Sequence, residues 1–159
     1  MQEARSNKHL SCFLFLASYD LLMVNFTAEY LGGLKCRAFH GPSGTEMLTD
    51  APTDLGGSGT TFSPTDLVAT GLLTCIMTTM ALVAERNGVE LKGMSGKIEK
   101  VMRTSPPRRI DSLNIHLKMP IAADHPAAAK LKHAAQACPV HLSLHPDIQE
   151  NIEWEWSEK

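Results

Sequence analysis

The feature that most constrains this chain is the run from Leu67 to Ala84, eighteen residues without a single charge. At that length a membrane-spanning helix must be considered. Four threonines (Thr70, Thr74, Thr78 and Thr79) and Gly71 dilute its apolar character, and the segments on either side read as strand-forming, water-compatible sequence. Apolar residues fall on nearly every side of the helix, as expected of one buried all round rather than of a surface amphipathic helix. A single chain of 159 residues with two small sheets has difficulty covering such a helix on every face. The run therefore predicts a homodimer assembled around it. Charge excludes other partners: 15 Lys plus Arg against 17 Asp plus Glu leave a formal net charge of −2. That gives no basic field for nucleic acid or an anionic membrane, and no local basic patch stands out.

The flanking pattern predicts an α+β fold. Val24, Phe26, Ala28 and Tyr30 alternate with Asn25, Thr27 and Glu29, the period of a half-buried strand. Gly32-Gly33 marks a turn, and strands are expected over 34–39 and 46–49 around the loop His40-Gly41-Pro42-Ser43-Gly44. The N-terminal third thus reads as an antiparallel meander. Asp54–Gly59 is Gly-rich without phosphate-binding spacing and reads as a flexible connection. Ser63 as N-cap, Pro64 at the first helical position and Asp66 at N3 start the long helix, and Asn87-Gly88 ends it. A strand is expected over 95–102, and a second with Leu113, Ile115, Leu117 and Met119 on one face. An Ala-rich helix over 127–137 follows, broken at Cys138-Pro139, and then a last strand with Ile152, Trp154 and Trp156 in alternation. Residues 1–22, basic and then briefly apolar, read as a leader or disordered extension, with 23–159 as one domain.

Four cysteines, at 12, 36, 75 and 138, have no close spacing. They read as separate thiols in a reducing, cytoplasmic setting. Cys75 lies about ten residues into the long helix, too far from its N-terminus for the helix dipole to favour a thiolate, and by itself reads as a buried structural thiol. Cys138, directly before Pro139, sits at the N-cap of a short segment whose free N–H groups favour the thiolate. His141 and His145 follow on the same helical face. Cys138, His141 and His145 could be read as metal ligands, but no fourth ligand lies nearby in sequence, and no metal or cofactor is expected.

Three segments carry a resemblance: Phe62-Ser63-Pro64-Thr65-Asp66-Leu67, Leu72-Leu73-Thr74-Cys75, and Ala137-Cys138-Pro139-Val140-His141. Together they resemble the paired motifs of the OsmC/Ohr family of thiol-dependent hydroperoxide reductases, across essentially all of 23–156. The resemblance implies an intertwined α+β homodimer whose central helices are wrapped by both subunits' sheets, with active sites at the subunit interface. It also implies that Cys75 is the peroxidatic thiolate and Cys138 the resolving thiol, with an external dithiol as reductant. A thiolate attacking an O–O bond becomes a sulfenic acid, which a second thiol condenses with to form a disulfide.

One departure from that pattern bears on the site. The family pairs an Arg of the N-terminal sheet with a Glu before the helix; here the Glu position is Thr65, followed by Asp66, and the glycines are followed by Leu34-Lys35-Cys36-Arg37. Asp66 is turned 100° from Thr65 and lies about 13 Å along the helix from Cys75, so it is no direct substitute. Lys35, Arg37, Asp66 and His141 are the candidate supporting residues. The leading expectation is a peroxidase reducing organic hydroperoxides or H2O2; the alternative is a non-catalytic dimeric module binding a small apolar ligand or thiol.

Overall fold

The computed structural model describes residues 23–158, so the expected leader and Cys12 lie outside the described residues. The chain divides into two compact units, one ending at Ser63 and one beginning at Pro64.

The N-terminal unit is an antiparallel meander of β1 (Phe26–Gly32), β2 (Lys35–His40) and β3 (Glu46–Asp50), in that order across the sheet. The β1–β2 turn needs its glycines: Gly32 and Gly33 have φ of 85° and 58°, left-handed values that cost a side chain dearly. Alternation predicts a half-buried β1, yet Phe26, Tyr30 and Leu31 are all exposed. The physical reason is that this three-stranded sheet has no second layer within its own unit. Order here comes from polar and backbone contacts instead. Asp50, 1% exposed, accepts hydrogen bonds from the Ser58 N–H (2.9 Å) and the Ser58 hydroxyl. A Cβ on Gly57 would lie 1.6 Å from the Ala51 carbonyl oxygen, so only glycine fits. The segment expected to be a flexible connection is thus a tied loop, with a single 3-10 turn over Thr53–Leu55.

The second unit opens with α1 (Pro64–Arg86), followed by β4 (Ser95–Met102), β5 (Ile110–Met119), α2 (Ala128–Gln136), the short α3 (Pro139–Ser143) and β6 (Gln149–Trp156). β5 is central, antiparallel to β4 and parallel to β6, because α2 and α3 carry the chain back across the sheet before β6 begins. Leu113, Ile115, Leu117 and Met119 form the buried face of β5, as their alternation predicts. They pack with Leu72, Ile76 and Met80 of α1 and Leu131 and Ala135 of α2 in one apolar cluster. Only one stripe of α1 is buried, Ala69, Leu72, Ile76, Met80 and Ala84, at the spacing of one helix face. Val68 and Leu82 stay exposed. The all-round burial expected from composition is therefore not achieved within this unit, whose other elements cover one side of α1 only.

Candidate active site

α1 presents Cys75 and the start of α3 presents Cys138. Cys138 is the N-cap of α3, with φ −60° and ψ 129°. Pro139 disfavours helical geometry at the residue before it, so the chain turns at Cys138 and α3 begins afresh. α1 packs against both α2 and α3. That packing brings together two thiols that are 63 positions apart in sequence, near enough for Cys75 to act on the Cys138 thiol. Both are free.

Their surroundings differ. Cys138 is 0% exposed, inside the cluster that holds Leu131, Ala134 and Ala135, whereas Cys75 is only partly buried at its margin. Burial pushes the Cys138 thiol above its ordinary range, and the neighbouring Cys75 thiol adds to the rise. The backbone N–H groups of His141 and Val140 act the other way. The N-cap placement therefore does what its position predicts, but desolvation outweighs it, and Cys138 rests as a neutral thiol.

His141 turns away from the sulfurs. Its Nδ1 lies 2.8 Å from Glu150 Oε2, across from α3 to β6, on the edge of a cleft of about 250 Å³ lined also by Lys132, Gln136 and Trp154. His145 instead faces Arg109 (3.3 Å) and Asp147 (3.8 Å). The two histidines thus serve different ion pairs, and among the described residues no three His, Cys, Asp or Glu side chains gather as metal ligands would.

Asp66 and Thr65, at the start of α1, meet a residue that sequence reasoning missed. Lys100 of β4 donates to Asp66 Oδ1 at 2.5 Å and to Thr65 Oγ1 at 2.7 Å, with its side chain only 15% exposed. The signal was present in the strand: Ile98, Lys100 and Met102 alternate as the inward positions of β4, and a lysine there needs a partner. In the N-terminal unit, Arg37 bridges its neighbouring strands, with Nη1 3.0 Å from Glu29 and Nε 3.8 Å from Glu46. Lys35 pairs in register with Asp50 and helps to hold that carboxyl ionised. Cys36 is a partly buried free thiol beside them.

Residues 57–153 match the family model described as OsmC-like protein. Among solved structures, the chain is similar to a Psychrobacter arcticus protein described as osmotic stress induced and detoxification response, at 34% identity and a TM-score of 0.78, covering 84% of this chain and 96% of that one. An organic hydroperoxide resistance protein OsmC from Legionella pneumophila has the same fold at 18% identity and a TM-score of 0.67, covering 84% and 96%. So does an organic hydroperoxide resistance protein from Vibrio cholerae, with captopril in one of its active sites, at 20% identity and a TM-score of 0.67, covering 82% and 90%. No curated protein matches the chain.

Proposed function

This chain belongs to the OsmC-like family, and from that premise we propose that it is a thiol-dependent peroxidase reducing organic hydroperoxides or H2O2 through Cys75 and Cys138. The observation that carries the reading is that the packing of α1 on α3 makes the two free thiols neighbours. The roles follow from their surroundings. A peroxide must reach the attacking sulfur, and Cys75 is the one with exposed surface; Cys138 is buried, protonated and already in place to condense.

In the first step the Cys75 thiolate attacks one peroxide oxygen, the O–O bond breaks, and the other oxygen leaves as an alcohol or water after taking a proton. The resulting sulfenic acid is attacked by Cys138, whose proton and the sulfenic hydroxyl depart as water while the S–S bond forms. Cys138 stands at the N-cap of α3, where the neighbouring Val140 and His141 N–H groups favour the anion it becomes as it attacks. An external dithiol then restores both thiols. Relatives named for organic hydroperoxide resistance support the substrate class. Lys35, Arg37, Asp66 and His141 are the candidate supporting residues of this reading, and Asp66 and His141 sit at the starts of α1 and α3.

The same reading makes the active form a homodimer. Exposed apolar residues of each unit, Phe26, Tyr30 and Leu48 in the first and Leu82 in the second, are what a second copy would bury.

Stopped-flow mixing of the reduced protein with cumene hydroperoxide or H2O2, followed by peptide mapping, tests the reading. The expected result is loss of two thiols and a Cys75–Cys138 disulfide, with Cys75→Ser abolishing both. Oxidation of Cys75 no faster than that of free cysteine, with no such disulfide, overturns it.

A further inference from the structure

We propose that an external thiol opens the Cys75–Cys138 disulfide at Cys75, leaving Cys138 as the expelled sulfur. This rests on the redox pair of the proposed function and assigns the direction of its reductive half. In the step, the incoming thiolate forms a bond to Cys75 Sγ, the bond between Cys75 Sγ and Cys138 Sγ breaks, and its electron pair leaves on Cys138, which takes up a proton. The mixed disulfide then sits on Cys75. A second thiol of the reductant attacks its own sulfur in that mixed disulfide and releases Cys75 as thiolate, so the protein gains two electrons and the reductant becomes a disulfide.

Access and leaving-group chemistry point in opposite directions here, and their magnitudes decide. The two thiols are already neighbours where α1 packs on α3, so the surroundings of each sulfur carry over into the disulfide. Cys138 is 0% exposed and packed with Leu131, Ala134 and Ala135, leaving an incoming sulfur nothing to touch. Cys75 keeps exposed surface. Against this, burial makes Cys138 the poorer leaving thiol. Exchange rates respond to thiol basicity with a sensitivity of about 0.4–0.5 for the attacking partner, so a comparable leaving-group response costs a few-fold per unit of basicity. Exclusion from a packed core is a far larger factor. The Val140 and His141 N–H groups, at the start of the helix that Cys138 caps, further offset the leaving-group cost.

The direction also restricts the reductant. Once expelled, Cys138 remains beside the mixed disulfide and can re-attack Cys75, casting the reductant off again. A monothiol is therefore returned unused, whereas a dithiol completes the reduction before Cys138 returns.

The test uses the full chain oxidised with diamide, which forms the disulfide without any peroxide. Remaining thiols are blocked with N-ethylmaleimide; glutathione is added briefly; the sample is acid-quenched, unfolded and treated with deuterated N-ethylmaleimide, and its peptides are mapped without reduction. Glutathione on Cys75 with the deuterated label on Cys138, at least about tenfold over the reverse arrangement, is the expected result. Equal distribution, or glutathione mainly on Cys138, overturns the proposal and leaves the peroxidase reading standing. A disulfide formed by diamide but not by hydroperoxide overturns the peroxidase reading while the direction of opening is still read out. Failure of diamide to join Cys75 to Cys138 overturns both.

Discussion

The two three-stranded sheets of this chain are held by different physics. The β4–β5–β6 sheet lays Leu113, Ile115, Leu117 and Met119 against helices and is stabilised by apolar burial. The β1–β2–β3 sheet leaves Phe26, Tyr30 and Leu48 exposed, and its order rests on the Arg37 bridges, the Asp50–Ser58 hydrogen bonds and the tight passage of Gly57 past Ala51. The contrast explains where the two thiols sit. A buried thiol such as Cys138 needs a dry and well-packed neighbourhood, and the second unit supplies one.

The largest effect should separate the sheets by packing. Leu72→Ala removes a fully buried side chain from the α1 stripe and is expected to cost about 2–5 kcal/mol in urea unfolding. Leu48→Ala, on the exposed sheet, is expected to stay within about 0.5 kcal/mol at protein concentrations where the chain is monomeric, and to cost more where a second copy covers it. Equal losses in the monomer would break the comparison.

A smaller effect probes the polar side of the contrast. The Ser58 hydroxyl, followed by the Ser58 N–H and the Lys35 charge, holds the Asp50 carboxyl below its ordinary value of 3.8 against the opposing influence of burial. A depressed carboxyl contributes stability that is fully present above the unfolded value and is lost as pH falls through the folded one. The wild type should therefore lose stability on acidification below about pH 4, and Asp50→Asn should flatten that limb while its neutral-pH stability falls. Urea midpoints measured from pH 6 down to 3 read this directly; parallel acid limbs for the two proteins would remove Asp50 from the account.

Much of this architecture was legible in the chain because it is local. Alternation located β5 and its buried face, Ser63-Pro64 began α1, Gly88 followed its end, and Pro139 separated α2 from α3. Three features were not legible, each because it depends on distant partners. The Asp50–Ser58 tie converts a Gly-rich segment into a fixed loop, and nothing in the segment's composition names Asp50 as its anchor. Lys100 reaches Thr65 and Asp66 across 34 to 35 positions, a pairing that only the packing of β4 on α1 creates. The balance at Cys138 was read from its N-cap position, but the burial that dominates it comes from Leu131 and Ala135 in a different helix. The Cys75–Cys138 pairing itself came from resemblance, since no spacing rule joins residues so far apart.

The smallest expected effect is at Arg37, and it sharpens the comparison by separating a sheet salt bridge from a supporting role in catalysis. Arg37 is 41% exposed, and its partners Glu29 and Glu46 are more exposed still. Such pairs are worth about 0–1 kcal/mol, because water already solvates both charges and the side chains lose freedom when they meet. Glu29 and Glu46 also neutralise the guanidinium, leaving little field for a thiolate. Arg37→Met should therefore change stability by no more than about 0.5 kcal/mol. The rate of Cys75 oxidation by hydroperoxide should stay within about twofold, since a cation that was lowering a thiol's basicity by even one unit would show as about a tenfold loss. A tenfold slowing at unchanged stability would instead make Arg37 the supporting cation and remove the need for Lys35 in that role. Unchanged rates would take Arg37 out of the supporting residues of this reading and leave it a sheet salt bridge.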